Sequence, residues 1–338
     1  MSNQDEGTLD RATAIYAPPH AQADGVGARV LQVVLSGLHY GSIRIVLPSG
    51  RELRASGHEP GPDAMVHLRR WRALRRLLLG GDLAFAEAWI DGDWTSPDLT
   101  AVMQLGTRNS AALAGALNGS LALRIANRAR HALNANTRRG SRRNIEAHYD
   151  LGNDFYRLWL DPSMLYSSAL WRDGALNLEQ AQRRKLDRIC ELLRLEGGER
   201  VLEIGCGWGA LALRLAHYHD AHVTALTLSP SQLTFAGALA GEHGVSSMVD
   251  LRHEDYRDVQ GQFDRIVSIE MFEAVGEAYW RDYFATLARC LKPGGTAVLQ
   301  VISIAEDRYE GYRRGTDFIQ KHVFPGGFLP SKKEQTVR

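Results

Sequence analysis

Glu203 stands directly before Ile204-Gly205-Cys206-Gly207-Trp208-Gly209, a turn with glycine at alternate positions, and Ala210 to Ala216 follows as an apolar stretch suited to a helix. Val201-Leu202-Glu203-Ile204 enters the turn as a short apolar strand. Glycine has no Cβ, so such a turn can bend sharply and let a flat ligand approach its amides, while the following helix N-terminus adds a positive field. The chemistry implied is binding of a nucleotide-type cofactor. A dinucleotide fingerprint would read G-x-G-x-x-G with an acidic ribose ligand about 20 residues on. Here the turn is G-x-G-x-G, and the corresponding stretch, Leu226-Thr227-Leu228-Ser229, carries no acid.

With the carboxylate before the first glycine, the arrangement resembles the S-adenosylmethionine site of the Rossmann-like methyltransferases, in which this acid orients the methionine end of the cofactor. The elements around it suit that fold. Helix is expected at Leu178–Leu195, Ser231–Glu242 and Tyr279–Leu291, and strand at Ala221–Thr227, Met248–Arg252, Phe263–Ile269 and Thr296–Val301, with Pro293-Gly294-Gly295 as a turn. Five strands with intervening helices imply an α/β fold with a doubly wound parallel sheet. Ligands of such sheets bind beyond the carboxyl ends of the strands. Residues 205–209, 227–232, 254–256, 270–276 and 300–302 therefore converge on one cleft.

Upstream, residues 1–27 are rich in Ala, Gly, Pro and polar residues and are expected to be loosely ordered. Alternation from Val30 to Leu53 predicts a β-containing unit, Val66 to Leu79 has helical spacing, and residues 80–94 suggest a short helix ending in a turn. A small α+β domain is placed at residues 28–105. Residues 106–145 read as a basic helical linker: between Thr100 and Ile145 there are eight arginines, among them Arg138, Arg139, Arg142 and Arg143, and no acid. The plain reading is a solvated connection between domains. Arginines so clustered also favour an anionic lipid surface or RNA phosphates. Without interleaved aromatic residues to stack on bases, lipid is favoured. Residues 146–338 form the cofactor domain, opening on a segment dense in rings from His148 to Trp171.

The chain has 338 residues, room for roughly two domains. A hydrophobic content of 44% with 23% charged residues is ordinary for a soluble protein. The formal net charge of +1 argues against a wholly basic nucleic-acid binder. Cys190, Cys206 and Cys290 are too few and too scattered for a disulfide framework or a zinc cluster, so no metal is expected and a reducing cytoplasm is. The polar, acidic opening is unlike a signal peptide. No apolar run approaches the roughly 20 residues of a membrane span, so membrane contact should be peripheral, at the inner face.

Five segments, His148-Tyr149-Asp150-Leu151-Gly152-Asn153-Asp154-Phe155-Tyr156, Leu202–Gly209, Leu226–Ser229, Met271-Phe272-Glu273-Ala274-Val275-Gly276 and Phe324–Ser331, resemble in order the cyclopropane-fatty-acyl-phospholipid synthases and mycolic acid cyclopropane synthases. The resemblance implies methylation of the cis double bond of a phospholipid acyl chain with S-adenosylmethionine. An isolated alkene is a poor nucleophile, so such a site must align the methyl group with the π bond and then survive a carbocation, which aromatic faces stabilise by roughly 0.5 to 2 kcal/mol each. By resemblance Tyr149 is a ring near the reacting carbon, and Tyr166 and Ser167 line the cofactor. Thr227 and Gln232 meet its ribose, with Leu228 in the same segment, and Glu254 and Asp255 lie near its adenine. Glu203 and the glycines Gly205, Gly207 and Gly209 complete the cofactor set. Glu273 matches a carboxylate that positions a bicarbonate, the base that removes the methyl proton so that the ring closes.

Two residues depart from the family pattern. Ser168 replaces a cysteine beside the bicarbonate, and Gln300 replaces a histidine, with Ile302 in its expected place. Both can still donate hydrogen bonds, but they put the bicarbonate in question and leave the product open between a cyclopropane and a methyl or methylene branch. The family chain also continues past the Phe-Pro-Gly-Gly-x-Leu-Pro-Ser segment, so a C-terminally truncated sheet, and with it an inactive remnant, is entertained. A methyltransferase for RNA or a small molecule is the other alternative. No nucleic-acid partner is expected, and a homodimer is left open.

Overall fold

The computed structural model describes residues 25–113, 136–137, 140–141, 152–172, 174–175 and 177–336. The chain divides into two compact units at the Leu123–Arg124 junction. The first contains α1 (Gly25–Leu35), β1 (Tyr40–Val46), β2 (Glu52–Ser56), β3 (Glu59–Leu68), α2 (Arg72–Ile90), β4 (Trp94–Thr95) and α3 (Leu99–Arg108). Its sheet runs β2-β1-β3-β4, antiparallel except for the parallel β1–β3 pair.

Several expectations for this unit need correction. Residues 30–35 are helical rather than extended, because Ala28, Leu31 and Leu35 recur at helical spacing and are all buried. α1 also begins at Gly25, ahead of the expected domain boundary at residue 28. Val66 and Leu68 close β3, where Ala64, Val66 and Leu68 alternate into the core, so helix starts only at Arg72. The short helix expected after Gly80 is present, since non-helical dihedrals at Gly81, φ +69° and ψ −155°, divide α2 into two helical stretches. At its far end the unit runs past residue 105. α3 continues to Arg108, and Asn109 accepts from the amides of His39 and Tyr40 at 2.8 and 2.9 Å.

The second unit contains α4 (Asn153–Arg157), α5 (Leu178–Leu193), β5 (Arg200–Ile204), α6 (Ala210–His219), β6 (His222–Thr227), α7 (Pro230–Glu242), β7 (Val249–His253), β8 (Phe263–Ile269), α8 (Trp280–Cys290), β9 (Leu291–Gln300), α9 (Glu306–Arg314) and α10 (Lys332–Thr336). Five parallel strands are ordered β7-β6-β5-β8-β9. Alternation along each strand separates two apolar layers. Val201, Val223, Ala225 and Val267 pack with α5 and α6 on one face, and Leu202, Ile204, Leu226 and Ile266 pack with α8 on the other. Cys190 and Cys206 are buried in the first layer and Cys290 in the second.

Local chemistry sets the helix starts. Asn177 caps α5 by accepting from the Gln180 amide at 2.9 Å, and Ser229 caps α7 with Pro230 in its first turn. β9 begins at Leu291, so Pro293-Gly294-Gly295, expected as a separate turn, is an irregularity inside the strand with Gly294 at φ +79°. Beyond β9, Phe328 is buried against Trp280 and its amide donates to the Glu273 carbonyl at 2.8 Å. No helix among the described residues is long and apolar enough to cross a membrane.

Candidate active site

The carboxyl ends of β5, β6 and β8 open on a cavity of about 1050 Å³, part of it exposed to solvent. Its floor is the glycine turn. The amides of Gly205 and Cys206 both donate to the Leu226 carbonyl, at 3.0 and 2.8 Å, which folds the turn back onto β6. A Cβ on Gly209 would meet that of Ala236 at 2.8 Å, so this glycine lets α7 approach closely. Gly207 is different: a Cβ there would meet no atom within 4 Å, and φ is +54°. The residue lines the cavity, and its missing side chain leaves space for a ligand.

Glu203 is 3% exposed, and its Oε2 has no partner among the described residues. Burial pushes its carboxyl up to about 8, the Ala212 amide only partly offsetting this. Across the same cavity Gln232 is buried. Its Oε1 accepts from the Thr227 hydroxyl at 2.9 Å, and its Nε2 has no partner among the described residues. A lone acceptor and a lone donor, both buried and both on one cavity, fit a ligand that brings a cationic or hydroxyl donor and an acceptor.

The remaining residues expected to bind cofactor divide. Tyr166, Ser167, Thr227, Leu228 and Glu254 line the cavity with Glu203, Gly205, Gly207 and Gln232. Tyr166 packs edge-on against Tyr156 and Trp159, with ring centroids 5.7 and 5.6 Å away. Asp255 is not among the lining residues: its carboxylate is paired with Arg257 at 2.6 Å, whose guanidinium also donates to the Asn136 carbonyl and the Ser141 hydroxyl. The Asp255 side chain is thus held in an ion pair, while its neighbours Glu254 and Tyr256 line the cavity. Gly209 packs helices, as described. The ring expected near the reacting carbon, Tyr149, lies outside the described residues, as do Arg138, Arg139, Arg142 and Arg143.

The residues expected to do chemistry form two neighbouring groups. Ser168 and Gln300 are in contact, with Gln300 Nε2 donating to Ser168 Oγ at 3.1 Å. Both also donate to the carboxylate of Glu270, which lines the cavity. Glu273, on the one-turn helix Phe272–Ala274, accepts the Ile302 amide on Oε1, while its buried Oε2 has no partner among the described residues. Burial, reinforced by the charge of Glu270, pushes the Glu273 carboxyl up to about 7.

Two residues of the site escaped the sequence reading. Gln182 and Lys185 lie on the buried face of α5, 3% and 4% exposed. Gln182 Nε2 donates to the carbonyls of Ser167 and Leu165 at 2.8 and 3.2 Å, and Lys185 Nζ donates to the Ser167 hydroxyl at 2.6 Å. Burial lowers the lysine to about 8, against the opposing charges of Glu270 and Asp161. Together they fix the segment that carries Tyr166, Ser167 and Ser168. The readable signal was two polar residues placed in phase with Ala181, Leu186 and Ile189 on an amphipathic helix.

Comparison with known proteins supplies the context. Residues 136–337 match the family model described as mycolic acid cyclopropane synthetase. The chain is 36% identical over 307 residues to tuberculostearic acid methyltransferase UfaA1 of Mycobacterium tuberculosis, covering 86% of this chain and 68% of that one. It is 39% identical over 269 residues to cyclopropane-fatty-acyl-phospholipid synthase of Escherichia coli, covering 77% of this chain and 65% of that one. The chain thus spans about two thirds of the length of these relatives. Among solved structures, mycolic acid cyclopropane synthase CmaA1 complexed with SAH and CTAB aligns with a TM-score of 0.53 at 33% identity, over 57% of this chain and 71% of that one. The fold of the second unit is accordingly the Rossmann-like fold of the S-adenosylmethionine-dependent methyltransferases.

Proposed function

Since this chain belongs to the mycolic acid cyclopropane synthetase family, a family of S-adenosylmethionine-dependent methyltransferases, we propose that it transfers a methyl group to the cis double bond of an unsaturated fatty-acyl chain of a membrane phospholipid, giving a cyclopropane. The observation that carries this reading is one cavity bounded by Glu203 and the glycine turn on one side and by Glu270, beside Ser168 and Gln300, on another. When bound, S-adenosylmethionine supplies an electrophilic methyl group. Glu203 Oε2 and Gln232 Nε2, buried atoms on the cavity without a partner among the described residues, would hold its polar ends, and Gly207 leaves it room. Tyr166 offers a ring to a cationic centre. Glu273, its carboxyl raised by burial and by the charge of Glu270, is the second carboxyl group assigned to stabilise a carbocation.

A branched product is the second reading. It is favoured by the donors at Ser168 and Gln300, which differ from the cysteine and histidine expected there, and by the likeness to a relative named for tuberculostearic acid. Radiolabelled S-adenosylmethionine offered with unsaturated phospholipid vesicles or total RNA tests the proposal. Label in lipid is expected, and label in RNA alone removes it. A cyclopropane and a methylene branch add the same mass, so proton NMR of the extracted lipid decides between them: ring methylene protons resonate far upfield, and exomethylene protons do not.

A further inference from the structure

Lys185 is buried on the inner face of α5, and it lines the same cavity as Glu203. Its Nζ donates to the Ser167 hydroxyl at 2.6 Å and to the Ser167 carbonyl at 3.2 Å. An ammonium has three donors, so one is left over. The two charges that oppose the lysine, Glu270 and Asp161, form no ion pair with it among the described residues. Asp161 accepts the Ser163 amide and hydroxyl on Oδ2, its Oδ1 is without a partner among the described residues, and Glu270 accepts from Ser168 and Gln300. The bond to Ser167 has a second effect. An ammonium cannot accept in return, so the hydrogen of the Ser167 hydroxyl must turn elsewhere, and Ser167 also lines the cavity. A cation and a hydroxyl donor thus stand side by side on one wall.

We infer that Lys185, with the Ser167 hydroxyl it orients, makes the cavity selective for a cofactor that carries an α-carboxylate. S-adenosylmethionine has two cationic groups, its ammonium and its sulfonium, and the carboxylate is its sole anion. The cavity is complementary. Glu203, Glu254 and Glu270 supply carboxyl groups, and Lys185 is the one cation among the described residues that line it. A buried ammonium without an ion-pair partner has lost solvation that a carboxylate replaces, and a hydrogen bond between two charged groups is among the stronger ones. The same lysine holds Ser167 and, with Gln182, the segment that carries Tyr166 and Ser168. A carboxylate on Lys185 therefore ties the amino-acid end of the cofactor to that segment. The inference rests on the placement of S-adenosylmethionine in this cavity proposed above, and does not depend on the acceptor.

Calorimetry tests this with S-adenosylhomocysteine, which cannot react, and its decarboxylated analogue, which keeps the amino group and lacks only the carboxylate. Wild type should bind the decarboxylated ligand about 10- to 100-fold more weakly, the scale of one hydrogen bond to a charged group. Lys185→Met should lose this preference: its affinity for S-adenosylhomocysteine falls by the same factor, while its affinity for the decarboxylated ligand stays within a few-fold of wild type. Lys185→Gln, which keeps a donor for Ser167 but no charge, should lose the preference as well. A lysine that merely supported the segment would give a different pattern, with both ligands weakened alike in Lys185→Met and both spared in Lys185→Gln, and that pattern overturns the inference. Equal affinity of wild type for the two ligands also overturns it, and remains decisive even if both variants fail to fold. Undiminished affinity for S-adenosylhomocysteine in Gly207→Val would instead put the cofactor outside this cavity and remove the reading on which the inference rests.

Discussion

Burial holds the Glu203 carboxyl up to about 8 in the free protein, whereas a ligand carrying an ammonium and a sulfonium group favours the carboxylate. Binding must therefore expel a proton at lower pH, and affinity for S-adenosylmethionine should rise with pH up to about 8, by at most tenfold per unit. The α-amino group of the ligand itself titrates near about 8, so the decisive comparison is with Glu203→Gln. Calorimetry should show that this variant loses the rising limb and keeps only the fall; an unchanged limb would detach Glu203 from the cofactor. Glu273 gives a stability signature instead. Its carboxyl is raised from 4.5 to about 7 in the folded chain, so the folded state holds a proton that the unfolded state has released. That contribution to stability is fully present below the unfolded value and is lost as pH rises through about 7. Glu273→Gln should flatten this slope in urea denaturation, while losing more turnover than cofactor affinity. An equal slope in both proteins would contradict the assignment.

At the scale of elements, the glycine turn makes the sharpest claim. Gly207→Val places a branched side chain at φ +54° and into the ligand's space, where a Cβ meets no protein atom within 4 Å, so S-adenosylmethionine binding should be abolished, with circular dichroism checking that the fold bears the backbone strain. Undiminished affinity by calorimetry would mean that the cofactor lies elsewhere. The turn was legible because it is local: an apolar strand, three alternate glycines and an apolar helix stand within about 16 consecutive residues, and each step has a short-range cause. The same holds for the strand and helix alternation after it. What was not legible depended on contacts distant along the chain. Glu270 gains its meaning from Ser168, 102 residues before it, and Gln300, 30 residues after it. Asp255 is tied through Arg257 to the Asn136 carbonyl and the Ser141 hydroxyl, 121 and 116 residues before that arginine. In α1, alternation concealed a helical repeat that only the packing of Ala28, Leu31 and Leu35 reveals.

For the whole molecule, the proposed recruitment to a lipid surface would be a matter of charge. The net charge of +1 gives no general attraction, so binding should rest on the arginines between residues 108 and 143. Vesicle binding should rise with anionic lipid content, fall with salt, and weaken when Arg138, Arg139, Arg142 and Arg143 become Gln. Sedimentation with vesicles measures this, and salt-independent binding to neutral vesicles would refute it. The placement of the three cysteines has a different consequence. Each is buried, two in one apolar layer of the sheet and one in the other, and burial raises every one of these thiols. Since the thiolate is the reactive form, iodoacetamide should leave the native protein almost unmodified, and alkylation becomes a clock for breathing of the structure. Cys206, seated in the cofactor turn, should be slowed further by S-adenosylmethionine, whereas Cys290, behind the opposite face, should report only opening of the layer beneath α8.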